Sequence, residues 1–217
     1  MINKKLKKYI EDNIFFHYKN DGSGHGLDHI KYVIDRSMRF AKDLENINFD
    51  MVYVIAAYHD IAHSIDAKNH EKLSATMLLN DTNLLEFFSK DEICVMSEAV
   101  YDHRASIKGE PRSIYGKIVS SADRNTNIED ILRRTYLYRI SHFPDSSLDE
   151  IINESFNHIR EKFGKSGYAS KKMYFNDIEY DKFLDEVELL VFDKDLFEEK
   201  YCKVNNLVKW KLFTFIL

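Results

Sequence analysis

The sequence predicts an all-α protein, and three observations support this fold class. The 217 residues include only 7 glycines and 2 prolines, so few positions would interrupt a helix. Apolar residues recur with a period close to 3.6 along most of the chain. Sustained alternation of apolar and polar residues between turns, the pattern of a half-buried strand, does not occur. Hydrophobic residues make up 44% and charged residues 31%, which suits a soluble globular protein with a real core and not a disordered chain.

The first part of the chain contains three helical segments. Residues 3–20 carry apolar side chains at helical spacing, and the stretch NDGSG at 20–24 predicts a loop. Residues 26–45 form an amphipathic helix, and Asp50 is the expected N-cap of the next one. The segment at 51–62, MVYVIAAYHDIA, is apolar on nearly every side. We therefore expect it at the centre of the fold.

Seven further helical segments follow along the rest of the chain. They are expected at about 70–80, 83–88, 90–102, 113–124, 127–141, 147–163 and 178–200. Ser89 or Asp91 is the expected N-cap of the third of these, because Ser and Asp favour that position. The stretch SSLDE at 146–150 has the composition of a capped helix start.

Composition excludes several classes of function. The formal net charge is −5 and the basic residues are dispersed, so nothing predicts a nucleic-acid partner. Cys94 and Cys202 have no short spacing that would indicate a disulfide framework. The basic N-terminus lacks the apolar run of a signal peptide. The apolar stretch at 207–217 is shorter than the roughly 20 residues of a membrane span. We expect a cytoplasmic protein with no membrane partner.

Potential metal ligands cluster in one part of the sequence. Six of the nine histidines lie between residues 25 and 103: His25, His29, His59, His63, His70 and His103. Histidine is the commonest metal ligand, and His59–Asp60 ends the apolar helix, where an unpaired carboxylate would be costly to bury. Asp123 ends another apolar stretch, GKIVSSAD. Ligands at the ends of apolar helices are typical of metal sites in the core of helical bundles.

The order of these residues resembles the HD superfamily of metal-dependent phosphohydrolases over about residues 24–126. The residues that carry the resemblance are His29, His59, Asp60, His70, His103 and Asp123, within contexts such as AAYHDIAH, NHEKLSA and SSADR. The resemblance implies an HD-type bundle with a metal site in its core. One ion would be bound by His29, His59, Asp60 and Asp123. Asp60 would bridge to a second ion, bound also by His70 and His103.

The donor set indicates which ions to expect. Mixed imidazole and carboxylate ligands suit Mn, Fe, Co, Ni or Zn and disfavour Ca, which prefers oxygen alone. Mg with several water ligands is a further candidate. One or two divalent ions are therefore expected as cofactors.

The resemblance implies hydrolysis of a phosphate ester or anhydride, in a nucleotide or another small phosphorylated metabolite, by a metal-activated hydroxide. Asp60 would take part through the metals. Basic side chains would neutralise the non-reacting oxygens, and the candidates near the motifs are Arg104, Lys117 and Arg124, with Arg112 weaker. Motifs of phosphate-binding loops, dinucleotide-binding folds and serine hydrolases are absent from the sequence.

Alternative interpretations stay open at this point. The chain could be a metal-containing regulator that binds nucleotides without turnover, a redox di-iron oxygenase of the HD type, or a structural helical protein. His25 and His63 could support the site or contact substrate, although a structural role is the simpler interpretation. Glu71 and Asp66 could act as acid or base, but a solvated surface position is simpler for both. Substrate identity, choice of metal and oligomeric state are not predicted.

The sequence predicts a single HD domain over residues 1–217. The stretch GKSGYAS at 164–170 is a loop, but its composition does not indicate a domain linker. The part that carries the motifs is about 24–126. The helices at about 127–200 have no motifs of their own, so we expect them to complete the bundle and cover the site.

Overall fold

The regular structure in the computed structural model is helical throughout its described residues, which are 2–18, 25–170 and 173–207. Ten α-helices and two short 3₁₀ helices lie there, which confirms the predicted all-α class. The loop expected at 20–24 and nearly all of the apolar C-terminal stretch fall outside these residues. None of the described helices is both long and apolar enough to cross a bilayer.

The described chain divides into two compact units. The first unit comprises residues 2–18, 25–124 and 173–176, and the second comprises 125–170 and 177–207. All residues expected at the metal site belong to the first unit. The expectation that the C-terminal helices cover the site stays a prediction.

The first unit contains six α-helices: α1 Lys4–Asn13, α2 Leu27–Ala41, α3 Phe49–Tyr58, α4 His70–Leu79, α5 Lys90–Tyr101 and α6 Ile114–Ala122. Two 3₁₀ helices, Phe15–His17 and Thr82–Glu86, lie between them. Helix α3 packs against the other five helices. Every residue of α3 from Met51 to Tyr58 is buried, as its apolar composition predicts. Helix α3 is therefore the core around which the site is built.

The second unit contains four α-helices: α7 Ile128–His142, α8 Leu148–Phe163, α9 Ile178–Phe192 and α10 Lys194–Val204. Helix α10 packs on the other three. Aromatic rings fill this core, with Phe197 edge-on to Phe156 at 5.1 Å between centroids and stacked with Tyr201 at 5.5 Å. The Tyr201 hydroxyl forms a 2.8 Å hydrogen bond with the buried Ser155 hydroxyl.

Of the helix starts expected from the sequence, those at Ser89 and in SSLDE are confirmed and the N-cap at Asp50 is wrong. Ser89 and Ser147 each form a capping box at the start of their helices. Asp50 is not the N-cap of α3, because Asn48 accepts hydrogen bonds from the backbone N–H groups of Asp50 and Met51. The Asp50 carboxylate instead accepts a hydrogen bond from the N–H of Asn3.

Several helix boundaries differ from the sequence predictions. The helices expected at 26–45 and 51–62 end earlier, at Ala41 and Tyr58. The helix expected at 3–20 ends at Asn13 and is followed by a 3₁₀ turn, and the segment expected at 83–88 is itself a 3₁₀ helix. The helix expected at 178–200 is two helices that meet at Asp193. The Asp193 carboxylate accepts hydrogen bonds from the N–H groups of Asp195 and Leu196, and these bonds start a new helix where apolar periodicity alone shows no break.

Candidate metal centre

The ends of five helices meet at one point of the first unit. His29 lies in the first turn of α2, and Asp123 is the residue that ends α6. His59 ends α3 and Asp60 follows it, while His70 begins α4 and His103 lies just beyond α5. All six of the metal ligands expected from the sequence are brought together. Packing of α2, α4, α5 and α6 around α3 makes this convergence.

The Asp60 carboxylate lies at the centre of the cluster. Asp60 is only 2% exposed. Its Oδ2 atom is 3.6 Å from His29 Nε2 and 3.5 Å from His59 Nε2. Its Oδ1 atom is 3.1 Å from His70 Nε2 and 3.5 Å from His103 Nε2. The two oxygens therefore face two separate pairs of imidazoles, as a bridging carboxylate would.

Two groups of donor atoms surround this carboxylate, besides a third that joins His25 and His29 with Asp60. In the first group, Asp123 Oδ1 is 3.1 Å from His29 Nε2 and 3.7 Å from His59 Nε2. The Nε2 atoms of those two histidines are 3.4 Å apart. In the second group, the Nε2 atoms of His70 and His103 are 3.2 Å apart. Nitrogens this close, directed at a common carboxylate, have the arrangement of ligands that share an ion.

Backbone carbonyls fix the orientation of three of these rings. The Nδ1 atoms of His59, His70 and His103 lie 2.8, 2.9 and 2.7 Å from the carbonyl oxygen three residues earlier in the chain. A carbonyl oxygen only accepts, so Nδ1 carries the proton in each ring. When the ring is neutral, the Nε2 lone pair is left for the centre. Such outer hydrogen bonds are typical of metal-binding histidines.

The charges of the cluster support each other. Burial acts to lower the pKa of His59, but the Asp60 charge and a hydrogen bond with Asp123 raise it to about 9. Burial likewise acts to raise the pKa of Asp60, yet the His59 charge and the surrounding imidazoles hold it well below its usual value. Burial likewise acts to raise the pKa of Asp123, but hydrogen bonds with His29 and His59 hold that pKa well below its usual value. Both carboxylates are thus ionised at neutral pH.

One buried oxygen shows that the cluster fits a cation. Asp60 Oδ1 is fully enclosed, and neutral His70 and His103, which carry their proton on Nδ1, offer it no hydrogen bond. A buried carboxylate oxygen without a partner is costly, and a bound cation would remove that cost. The nearby donors are imidazole nitrogens and carboxylate oxygens, a set that suits Mn, Fe, Co, Ni or Zn.

Two further histidines, His25 and His63, contact the cluster. His25 Nδ1 is 2.6 Å from Asp60 Oδ2. The His63 ring stacks on His25, with 3.7 Å between centroids and 20° between planes, and its centroid is 5.0 Å from that of His70. A purely structural role was the simpler expectation for both. The sequence signal for a role at the site was their spacing: His25 lies four residues before His29 and His63 four after His59, about one helical turn in each case.

The basic candidates make contacts with neighbouring protein groups. Arg104 Nη1 is 3.0 Å from Glu71 Oε2 and donates to the Lys68 carbonyl. Glu71 is therefore ion-paired beside His70. The sequence suggested a simple solvated position for it, and the structure differs. Asp66 is half-buried, and its carboxylate caps the turn before α4.

The other basic candidates lie near α6. Lys117 Nζ is 2.7 Å from Glu110 Oε2 and 5.3 Å from the centre of the Tyr174 ring. The Arg124 side chain is buried and donates to the Ser120 hydroxyl at 2.9 Å.

Arg112, the weaker candidate, holds a buried carboxylate. Its Nε and Nη2 atoms each lie 2.9 Å from an oxygen of Asp102, a residue that is 2% exposed. The Arg112 backbone N–H donates to the same carboxylate at 2.9 Å. This contact fixes the segment before α6 to the end of α5.

The sequence did not draw attention to Arg36, a fully buried residue of α2 that supports Asp123. Its Nη1 atom donates to the carbonyl of Ala122 at 3.0 Å and to that of Arg124 over a shorter distance. These two carbonyls flank Asp123 on either side. Arg36 follows His29 by seven residues, or two helical turns, so one face of α2 carries both.

Part of the chain resembles a known domain family. Residues 26–128 match the profile of the HD domain family. The crystal structure of a predicted HD superfamily hydrolase from an uncultured Thermotogales bacterium is 18% identical. The alignment covers 73% of this chain and 87% of that one, with a TM-score of 0.45. No curated protein sequence matches the chain.

Proposed function

Since this chain contains an HD domain at residues 26–128 and thereby belongs to the HD superfamily, we propose that it is a metal-dependent phosphohydrolase. Its substrate would be a phosphate ester or anhydride in a nucleotide or another small phosphorylated metabolite. The observation that carries the proposal is the Asp60 carboxylate. It is buried among imidazoles, and one of its oxygens has no hydrogen-bond partner in the described part of the chain.

The proposed ligands follow the two donor groups. His29, His59 and Asp123 would bind one ion together with Asp60 Oδ2. His70 and His103 would bind a second ion together with Asp60 Oδ1. Divalent ions in such a pair lower the pKa of a bound water and withdraw charge from a phosphoryl oxygen. This chain's task is to hold the imidazole rings in place, through their carbonyl contacts, and to keep the Asp60 and Asp123 carboxylates ionised.

Positive charge on the substrate's other oxygens would come from Arg104, Lys117 and Arg124. Arg104 directly follows His103 and is paired with Glu71, so a phosphate could compete for its guanidinium. Tyr174 supports a nucleotide as substrate. Its ring lies beneath Lys117, and its N–H donates to the hydroxyl of Ser121, two residues before Asp123. A base could stack on such a ring.

Phosphate release from a panel of nucleotides and sugar phosphates tests the proposal. Metal-free protein would be supplied with Mn, Co, Ni, Fe, Zn or Mg in turn. We expect release with at least one of the transition metals and none with Asp60→Ala. His142→Ala, a change at an exposed histidine of the second unit, is the matched control and should keep full activity.

Two results would contradict the proposal. A protein that binds metal and nucleotides but releases no phosphate would be a regulator instead. A protein that takes up no metal would remove the basis of any metal-dependent chemistry.

A further inference from the structure

We propose that His25 is a positioning residue that orients the Asp60 carboxylate, so that its two oxygens face two metal positions. The inference rests on the proposed metal centre and adds a member outside the six expected ligands. A residue with this task does not touch the substrate. It acts through the carboxylate that it holds.

The contact itself is short and nearly enclosed. His25 Nδ1 lies 2.6 Å from Asp60 Oδ2, and the two side chains are 19% and 2% exposed. Hydrogen bonds to an ionised group are shorter and stronger than neutral ones. Asp60 Oδ1 makes no hydrogen bond with the described residues. His25 therefore constrains one oxygen and leaves the other directed at His70 and His103.

The His25 ring is itself held in place on two sides. Its face stacks on His63 at 3.7 Å between centroids. His29 lies edge-on to it at 5.4 Å and 76° between planes. A ring restrained on both sides can hold a hydrogen-bond partner in one orientation at little further entropic cost.

His25 differs from the expected ligands in the nitrogen it uses. His59, His70 and His103 place Nδ1 on a backbone carbonyl and direct Nε2 at the centre. His25 places Nδ1 on the carboxylate. An N–H that donates to Asp60 cannot offer the same nitrogen to an ion, so the geometry assigns His25 to the carboxylate. Outer partners of this kind typically contribute about 10–100-fold to metal affinity.

Two substitutions of His25 separate these roles. His25→Leu removes the donor and keeps apolar bulk. His25→Asn keeps an N–H at nearly the position of Nδ1, because the Asn amide nitrogen and His Nδ1 are both attached to Cγ. His142→Asn, at an exposed histidine of the second unit, is the matched control. Each metal-free protein would be titrated with Co²⁺, whose visible absorption reports both affinity and coordination.

The proposal expects His25→Leu to weaken Co²⁺ binding about 10–100-fold. His25→Asn should restore most of the affinity, and the visible bands at saturation should match wild type in every variant. Unchanged affinity in His25→Leu would overturn the proposal while leaving the metal centre intact. Equal losses in both variants, with altered bands, would overturn it by making His25 a ligand. Failure of the wild-type protein to bind Co²⁺ would instead refute the proposed function on which the inference rests.

Discussion

Asp60 offers the sharpest test of the metal centre, because it is the residue that faces both donor groups. Oδ2 lies within 3.6 Å of His29 Nε2, and Oδ1 lies 3.1 Å from His70 Nε2. Asp60→Ala should therefore abolish binding of both ions. Asp123→Ala should remove the ion on the Oδ2 side only, and His70→Ala the other. The expected metal content is two ions per chain in the wild type, none in Asp60→Ala, and one in each of Asp123→Ala and His70→Ala.

The size of the effect on stability follows from linkage. An ion that binds only the folded state adds about 2.7 kcal/mol of stability when its free concentration is 100 times its Kd. For a protein of this size, about 2–4 °C of melting temperature corresponds to each kcal/mol, so one ion should add about 5–11 °C. Asp60→Ala should show no such increase. Asp123→Ala and His70→Ala should each keep the part contributed by one ion.

Metal analysis after dialysis and melting curves with and without Mn²⁺ would measure both quantities. His142→Ala should match wild type in each. Unchanged metal content in Asp60→Ala would refute the assignment of the site. Full metal content and activity in both His70→Ala and His103→Ala would show that one ion suffices, and those two histidines would then have other roles.

Three more outcomes are expected. Lys117→Ala and Arg124→Ala should each lower phosphate release about 10²–10³-fold at unchanged metal content. Only Arg124→Ala should also lower the melting temperature, since that side chain is buried, and full activity in both would exclude them as phosphate contacts. Metal affinity should fall as pH falls: the pKa of His59 is raised to about 9 without metal, so at neutral pH a proton must leave this ring before an ion binds. Each proton released should change the affinity about tenfold per pH unit, and titrations at two pH values that gave equal affinity would contradict this. Arg112→Ala should cost about 2 kcal/mol in urea unfolding, because it strips two hydrogen bonds from buried Asp102. The Arg112 side chain is 48% exposed, so water replaces part of what is lost. A loss below about 0.5 kcal/mol would disprove the role.

Helix content and most helix starts were predictable because both depend on local chemistry. The capping boxes at Ser89 and Ser147 are formed by residues three positions apart. The break at Asp193 was missed because its apolar flanks keep the helical period across it. Asn48 took the cap expected of Asp50, since either side chain can perform that task and their surroundings decide between them.

The sequence by itself determined which six residues to expect as ligands, because donor types, their order along the chain and the resemblance that this order carries are all written in it, and the structure brings the six together. The resemblance already implied how the donors divide between two ions, and the tertiary structure showed which oxygen of Asp60 each group faces. It also revealed His25 on that carboxylate and Arg36 on the carbonyls around Asp123. The His25–Asp60 contact joins residues 35 positions apart, and the Arg36 contacts join residues at least 86 positions apart. No local pattern encodes them, since they arise only when α2 and α6 pack on α3 and bring those side chains within hydrogen-bonding distance.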